Sequence, residues 1–260
     1  MSNTVQKELN RISRAEEKLR KLAHKDSLKW RTDLEKKVPA KVLTNLQVVF
    51  RKAFEIIFDK GTPLIEKTYK KDDIQKEFLV HDFAIDLEMS PKDLLVLKAG
   101  SELSNLISLS ASAVEGIGLG ALGIGLPDIV LFISLILRGC YETALQYGFD
   151  YDSPSEKYFI LTVLEGSMLK GDLWDTCNDL VDSMMSAPAV PSEEEFKLQL
   201  GHTSDAFAVD MLLAKFIQGL PVVGVIGGVT NPVYYRKILS YVRLKYRKRY
   251  LLTKAPVSPQ

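Results

Sequence analysis

Apolar residues recur with helical spacing along most of the chain. Over residues 4–29 they stand three, four or seven positions apart with charges between them, which predicts an amphipathic helix that docks by this stripe. The stripe consists of Val5, Leu9, Ile12, Leu19 and Leu22. Because no segment alternates apolar and polar residues as a strand does, we predict an all-α fold in a single multi-helix domain.

Hydroxyl and proline pairs mark the predicted starts of several helices. Thr62-Pro63, Ser90-Pro91 and Ser153-Pro154 each place a capping hydroxyl before a proline at the first helical position. Pro39 opens an earlier helix that we expect to end at Gly61, which stands where a C-cap glycine belongs. Asn231-Pro232 starts the final helix, which runs through a basic tract to Pro256.

Residues 172–185 carry two stripes, as an amphipathic surface helix requires. The apolar stripe predicted to face inward is Leu173, Cys177, Leu180 and Met184. The acidic stripe is Asp172, Asp175, Asp179 and Asp182. Carboxylates on one helix face attract Mg²⁺ or Ca²⁺ in some proteins, but helical carboxylates alone rarely complete an oxygen shell, so we favour a solvated face. Residues 187–192 form the predicted linker.

Two glycine-rich apolar blocks, residues 116–137 and 219–229, are too apolar for surface loops. They therefore belong in a packed interior or in a bilayer. The first is long enough to span a membrane, yet Pro127 and Asp128 at its centre cost about as much as its apolar residues gain. We therefore favour a central Gly-rich apolar helical hairpin, with arms over residues 91–115 and 127–147.

Charge is distributed unevenly along the chain, although its net value is only +1. Residues 211–260 hold nine basic residues and no acidic one, which leaves about −8 on residues 1–210. The two cysteines, Cys140 and Cys177, fall in apolar helical patterns, as buried thiols in a reducing compartment do. No signal-peptide pattern opens the chain, so we expect a cytoplasmic protein.

The basic C-terminal helix alternates cations with tyrosines, which suit a lipid headgroup boundary. The candidate membrane-contact residues are Tyr234, Arg236, Lys237, Arg243, Lys245, Arg247, Lys248 and Arg249. They predict a peripheral contact with an anionic lipid surface. In the alternative, the tyrosines pack inward and the cations are only a solvated helix end. Nucleic acid is disfavoured as a partner because the body is acidic and no nucleic-acid motif accompanies the tract.

Three blocks of the chain together resemble the EcsC protein family. They read GIGLGALGIGLPDIVLFISLILRGCYETALQYGFD, SPSEKYFILTVLEG and LPVVGVIGGVTNPVYYRKILSYVRLKYRKRYLL. The similarity runs from about Lys29 to Leu252, so we divide the chain into an N-terminal amphipathic helix over residues 1–30 and an EcsC-like helical domain over residues 31–255. The resemblance implies a bacterial, intracellular, membrane-linked protein related to one encoded beside an ABC transporter, and it supplies no catalytic residues.

Several local patterns imitate catalytic or metal chemistry. Gly118, Gly120 and Gly123 match a dinucleotide fingerprint, but no strand precedes them, so we interpret them as a hairpin turn. His202, Ser204 and Asp205 are triad residue types on one segment, where Thr203 or Ser204 more simply caps a helix that starts near Asp205. His24 and His81 have no partner at metal-ligand spacing, so we predict no metal site.

Four charged residues around the first Gly-rich block are the candidate ligand-binding cluster: Glu115, Asp128, Arg138 and Glu142. Asp128 has the simpler interpretation of a first-turn carboxylate stabilised by the helix dipole. We predict a non-catalytic protein without a cofactor, associated peripherally with the cytoplasmic face of the membrane, that binds a lipid, a hydrophobic peptide or an ABC transporter partner. The alternatives are an enzyme acting on a membrane-derived hydrophobic substrate and a purely protein-binding helical scaffold.

Overall fold

The computed structural model describes residues 3–25, 39–87, 126–186, 190–217 and 232–255. These residues form helices joined by turns, and none of them lies in a β-strand. The helices are α1 Asn3–His24, α2 Ala40–Ile56, α3 Thr62–Glu66, α4 Lys71–Leu87, α5 Leu126–Gln146, α6 Pro154–Gly166, α7 Gly171–Ser186, α8 Glu193–Ile217 and α9 Pro232–Thr253, with a π-helical turn Ile57–Gly61 between α2 and α3. The all-α prediction is confirmed.

Helix α5 lies at the centre of the core, packed against α2, α4 and α9. Its apolar residues are buried in succession: Ile129, Val130, Phe132, Ile133, Ile136 and Leu137. A Cβ at Gly139 would lie 2.5 Å from Leu239 Cδ1, so this glycine lets α9 approach closely. The second arm of the predicted hairpin is therefore confirmed as a helix. The first arm and the glycine turn lie outside the described residues.

One stretch of α5 is long and apolar enough to cross a membrane. It covers Ile129–Gln146, and 83% of it is buried inside the protein. Because core helices of soluble proteins have the same composition, this stretch is weak evidence for a membrane span.

The predicted helix starts at Pro39, Ser153-Pro154 and Asn231-Pro232 agree with the structure. Helix α2 begins at Ala40, directly after Pro39. At α6, Ser153 Oγ accepts a hydrogen bond of 3.2 Å from the amide of Glu156. Helix α9 begins at Pro232. At α3 the proline stands in the first turn, but the Thr62 hydroxyl lies 3.2 Å from the Tyr141 hydroxyl and caps nothing. Ser90-Pro91 lies outside the described residues.

Two predicted helix boundaries are wrong. Gly61 has a φ of −84° and passes the chain directly into α3, so it is no left-handed C-cap. Helix α8 runs without interruption from Glu193, and no helix starts near Asp205. Thr203 and Ser204 bond instead to carbonyl oxygens one turn earlier, at 2.9 and 2.6 Å, as hydroxyls inside a helix do.

The inward stripe predicted for α7 is half wrong. Cys177 and Met184 are buried as expected, but Leu173 and Leu180 are exposed. Trp174 and Val181 take the inward positions, which rotates the buried face by one residue, about 100°. The bulk of the tryptophan decides the orientation, since it buries more apolar surface than a leucine.

Helix α1 packs against α7 and α9, as the stripe predicted. Val5 and Ile12 are buried, and Leu9 and Leu19 are partly buried against the core. Leu22, the last member of the predicted stripe, is exposed instead, and the next residue, Ala23, is buried. Residues 26–38 lie outside the described part of the chain.

The helix directions bring three helix ends together. Helices α5 and α9 run the same way, because Gly139 lies against Leu239 and the ring of Tyr147 lies 5.9 Å from that of Tyr250. Helix α8 reaches the start of α9 with its last third, where Asp210 bonds Lys237. We call this end of the bundle the Gly-rich end. There the described chain breaks off at Ile217 and resumes at Pro232 and at Leu126.

Candidate functional site

The basic residues of α9, the predicted membrane contact, lie mostly between helices. The side chain of Lys245 is 0% exposed, and its Nζ lies 2.6 Å from Glu16 Oε1 and 2.8 Å from Asp182 Oδ1. Lys248 binds the same two carboxylates at 2.8 and 2.7 Å. Two cations and two anions from α1, α7 and α9 thus form one neutral network.

The network favours the charged form of Lys248. Burial lowers the pKa of Lys248, but the hydrogen bonds that its ammonium donates to Asp182 and Glu16 outweigh this and raise its pKa above the ordinary value. An ammonium bonded by two carboxylates has no free charge to offer an anionic surface. The same carboxylates hold α1 against the rest of the bundle.

A second buried network joins α9 to the start of α6. Arg249 Nη1 lies 2.9 and 2.8 Å from the two carboxylate oxygens of Glu156, and the Tyr246 hydroxyl donates to Glu156 at 2.6 Å. The guanidinium also stacks over the rings of Phe149 and Phe159, at 4.1 and 4.6 Å. Burial, and then the Glu156 charge, raise the pKa of Tyr246 well above its ordinary value.

Further contacts neutralise most of the remaining cations of the C-terminal segment. Lys237 bonds Asp210 at 2.8 Å, and the Tyr234 hydroxyl donates to the Asp210 carbonyl at 3.1 Å. Arg247 pairs with Glu8 on α1. Just beyond α9, Lys254 bonds two carboxylates of α4, those of Asp82 and Asp86, at 2.8 and 2.5 Å.

The expectation of a free cationic surface is therefore wrong for Lys245, Arg247, Lys248 and Arg249, and Lys237 is also paired. The physical reason is the acidic body, whose carboxylates meet the basic helix inside the same chain. Arg243 is partly buried near Cys140, and of the eight candidates only Arg236 is classed as exposed. The alternative is right in one half, because Tyr241, Tyr246 and Tyr250 are buried, and wrong in the other, because the cations are paired between helices and do not form a solvated helix end.

The candidate ligand cluster is assembled only in part. Arg138 Nε donates to Glu142 Oε1 at 2.8 Å, and both side chains are almost fully buried on α5. Tyr235 of α9 lies beside this pair, and burial raises its pKa to about 12. Asp128 falls in the first turn of α5, but its side chain, like all of Glu115, lies outside the described residues. The described half of the cluster is thus an internal ion pair.

Comparison with known families agrees with the resemblance of the sequence blocks. The model of the EcsC protein family matches residues 3–251. The chain belongs to the EcsC family. The match includes α1, which the sequence blocks did not reach, and the ion pairs of Glu8 and Glu16 with α9 make that helix part of the EcsC fold. No curated protein and no solved structure matches this EcsC-family chain.

One group of side chains in this EcsC-family protein joins His24, for which the sequence spacing suggested no metal site, to two members of the acidic stripe. His24, Asp172 and Asp175 place their ligating atoms within 4.8 Å of one another. Arg20 already binds Asp175, with Nε 3.0 Å from Oδ1, and His24 Nε2 lies 2.9 Å from Oδ2. The hydrogen bond from Arg20 lowers the pKa of Asp175. This guanidinium supplies the positive charge that a metal ion would otherwise bring.

The triad residue types do not converge. All three lie within one stretch of α8, where Ser204 is buried and bonded to Leu200, whereas His202 is exposed. The glycines of the dinucleotide-like motif lie outside the described residues. Both cysteines are free and buried, and burial raises the pKa of each thiol. Buried thiols of high pKa are poor nucleophiles.

Sequence reasoning missed the anions that receive the basic helix. They are Glu8 and Glu16 on α1, Glu156 on α6, Asp182 on α7, and Asp210 on α8. The charge asymmetry between the two parts of the chain was the available signal. It indicated that the acidic part of the chain would pair with the basic helix. It did not indicate which carboxylates would form the ion pairs.

Proposed function

We propose that this EcsC-family protein associates peripherally with the cytoplasmic face of a membrane, where it binds a lipid, a hydrophobic peptide or a transporter partner without catalysis. The observation that carries the proposal is the position of three helix ends. The helix directions put Leu126, Ile217 and Pro232 at the same end of the bundle, the Gly-rich end. The apolar segments at residues 116–125 and 219–229 continue the chain from these helix ends, and we propose that one membrane face meets both.

Two exposed cations support the same orientation. Arg236 stands in the first turns of α9, at the Gly-rich end. Lys41 stands in the first turn of α2, which begins at that end because its far end reaches Phe196 near the start of α8. Each exposed cation near an anionic membrane adds about 1 kcal/mol to binding. The contact is therefore mainly apolar, with a modest preference for anionic lipid.

A flotation assay tests this proposal. Vesicles of phosphatidylcholine alone, and of equal parts phosphatidylcholine and phosphatidylglycerol, are mixed with the whole protein at low and at high salt. We expect flotation with both vesicles at high salt, because apolar contact is not screened, and more with the anionic vesicles at low salt. Absence of flotation, or its complete loss at high salt, contradicts the proposal.

Matched variants test which part of the protein contacts the membrane. Val222→Asp combined with Val225→Asp charges the second apolar segment and should abolish flotation. Leu198→Asp is the control, because Leu198 is an exposed apolar residue near the start of α8, at the opposite end of the bundle. Circular dichroism checks that both variants remain helical. Equal loss in the two variants contradicts a contact at the Gly-rich end.

A further inference from the structure

A groove of about 540 Å³ opens at the end of the bundle opposite the Gly-rich end. It lies where the π-helical turn after α2 meets the starts of α6 and α8. Its apolar floor comprises Phe58, Pro154, Pro191, Phe196 and Leu200. Its volume falls within the range of small-molecule sites in proteins.

Two aromatic rings shape the floor of the groove. Phe58 and Phe196 meet edge to face, with ring centroids 5.8 Å apart. Behind them Phe54 stacks on Phe58 at 6.4 Å and joins the groove to the core. Rings anchored from behind keep their positions, so the floor presents a preformed apolar surface.

The π-helical turn is an independent sign of function. The amide of Thr62 bonds the carbonyl of Ile57, five residues back, so the turn is wider than an α-helical one. Such turns are rare and occur frequently at functional sites. Two groove residues, Phe58 and Asp59, belong to this turn. The irregular backbone therefore lies where the groove is.

Carboxylates dominate the rim of the groove. Glu55, Asp59 and Glu193 line it, with Lys157 and Lys197 as the cations. Lys197 Nζ already bonds Glu193 at 2.5 Å, and this hydrogen bond raises the pKa of the lysine. Because this pair is neutral, the remaining charges that line the groove are the carboxylates of Glu55 and Asp59 and the ammonium of Lys157. Glu194, next along α8, does not line the groove but lies near Lys197 and adds negative charge beside it.

We propose that this groove binds a small cationic amphiphile. Its ammonium or guanidinium group binds the rim carboxylates Glu55 and Asp59, and its alkyl or aryl group covers Phe58 and Phe196. An apolar floor gives affinity, and an acidic rim selects the charge of the ligand. The site goes beyond the proposed membrane contact, because it lies at the other end of the bundle and is open while the Gly-rich end is engaged.

Isothermal titration with three probes of equal chain length tests the proposal: decylamine, decanoate and 1-decanol, each below its aggregation concentration. We expect decylamine to bind at least tenfold more tightly than decanoate, with 1-decanol between them. Asp59→Asn combined with Glu55→Gln should bring amine and carboxylate within about threefold of each other. Both side chains are exposed, so the double variant should fold normally. Equal binding of amine and carboxylate by the unmodified protein overturns the proposal.

A matched pair of phenylalanine variants separates this site from general surfactant binding. Phe196→Ala should weaken decylamine binding about tenfold. Phe83→Ala should leave it unchanged, because Phe83 is an exposed phenylalanine on α4, outside the groove. An effect of Phe83→Ala as large as that of Phe196→Ala overturns the assignment to the groove.

Discussion

Helices α4 and α9 place their polar and apolar residues in opposite ways. Helix α9 carries seven basic residues, yet its charged groups lie largely between helices, with Lys245 fully buried. Helix α4 turns Leu79, Val80, Phe83 and Leu87 outward, each between 64% and 72% exposed. A basic helix thus lies inside while an apolar face lies outside.

The two helices differ in this way because of the carboxylate partners available to each, and not because of the types of residue they carry. Burying a charge is costly unless a counter-ion and hydrogen bonds are present, and three helices bring carboxylates to Lys245, Lys248 and Arg249. Helix α4 already packs Ile74, Phe78 and Ile85 against the core with its inner side. Exposed apolar residues on the outer side of α4 are tolerated, because exposing an apolar side chain leaves no buried charge without a partner.

The largest effect should come from breaking the Glu156–Arg249 pair. Glu156→Ala leaves the guanidinium buried without its counter-ion, so we expect a loss of about 3–5 kcal/mol in the free energy of unfolding, measured with urea. Replacing both partners, Glu156→Leu with Arg249→Met, should recover part of the loss. Arg236→Gln, at the exposed position of the same helix, should change stability by less than about 0.5 kcal/mol. A loss below about 1 kcal/mol for Glu156→Ala would contradict the buried pair.

An intermediate effect should distinguish the two faces of α4. Phe78 faces inward, where its ring meets that of Tyr250 at 6.2 Å and lies over Gly148. Phe78→Ala should therefore cost about 2–3 kcal/mol, whereas Phe83→Ala on the outer face should stay within about 0.5 kcal/mol. Thermal and urea unfolding of both variants measure this. Equal losses in the free energy of unfolding for the two variants would mean that the outer face of α4 is covered by other residues.

The smallest effect should be an alkaline pH dependence of stability to which Tyr246 of α9 contributes. Because burial and Glu156 raise the pKa of Tyr246, its contribution to stability is full below its ordinary pKa of about 10 and is lost as the pH rises through the folded value. The free energy of unfolding should therefore fall above pH 10, by up to about 1.4 kcal/mol per pH unit for each such tyrosine. Tyr246→Phe should flatten this slope between pH 9 and 11.

Phe83→Ala provides the control for the pH series, because it removes no titrating group. Its unfolding curves should retain the alkaline slope of the unmodified protein. A slope that Tyr246→Phe leaves unchanged would assign the alkaline loss to other groups. Tyr241 and Tyr250 are the next to test, since burial raises the pKa of each.

The sequence predicted the helices better than the contacts between them. Local chemistry marks the starts of α6 and α9, since each begins at a proline that follows a residue of capping type, Ser153 or Asn231. The π-helical turn that ends at Gly61 was missed because no local sequence pattern marks it, and Thr62, which follows it, bonds Tyr141 on a distant helix. The inward rotation of α7 was missed because periodicity does not weigh Trp174 against Leu173.

The candidate site was less predictable than the fold for the same reason. A tract of cations and tyrosines fits a membrane surface and an acidic protein interior equally well, and the choice depends on carboxylates far away in the chain. Arg138 and Glu142 were recognisable as partners from their spacing of four residues on α5. The groove beside Phe196 had no sequence pattern, because three separate segments build it.

The bond between Glu16 and Lys245 spans 229 positions of the chain. Ribosomes add about 5–20 residues per second, so α1 waits roughly 10–45 seconds for the lysine that neutralises it. During that interval α1 has α7, which is synthesised earlier, as a packing partner but lacks its contacts with α9. The newly synthesised protein therefore depends on its last helix, or on a chaperone, to hold its first helix fully in place.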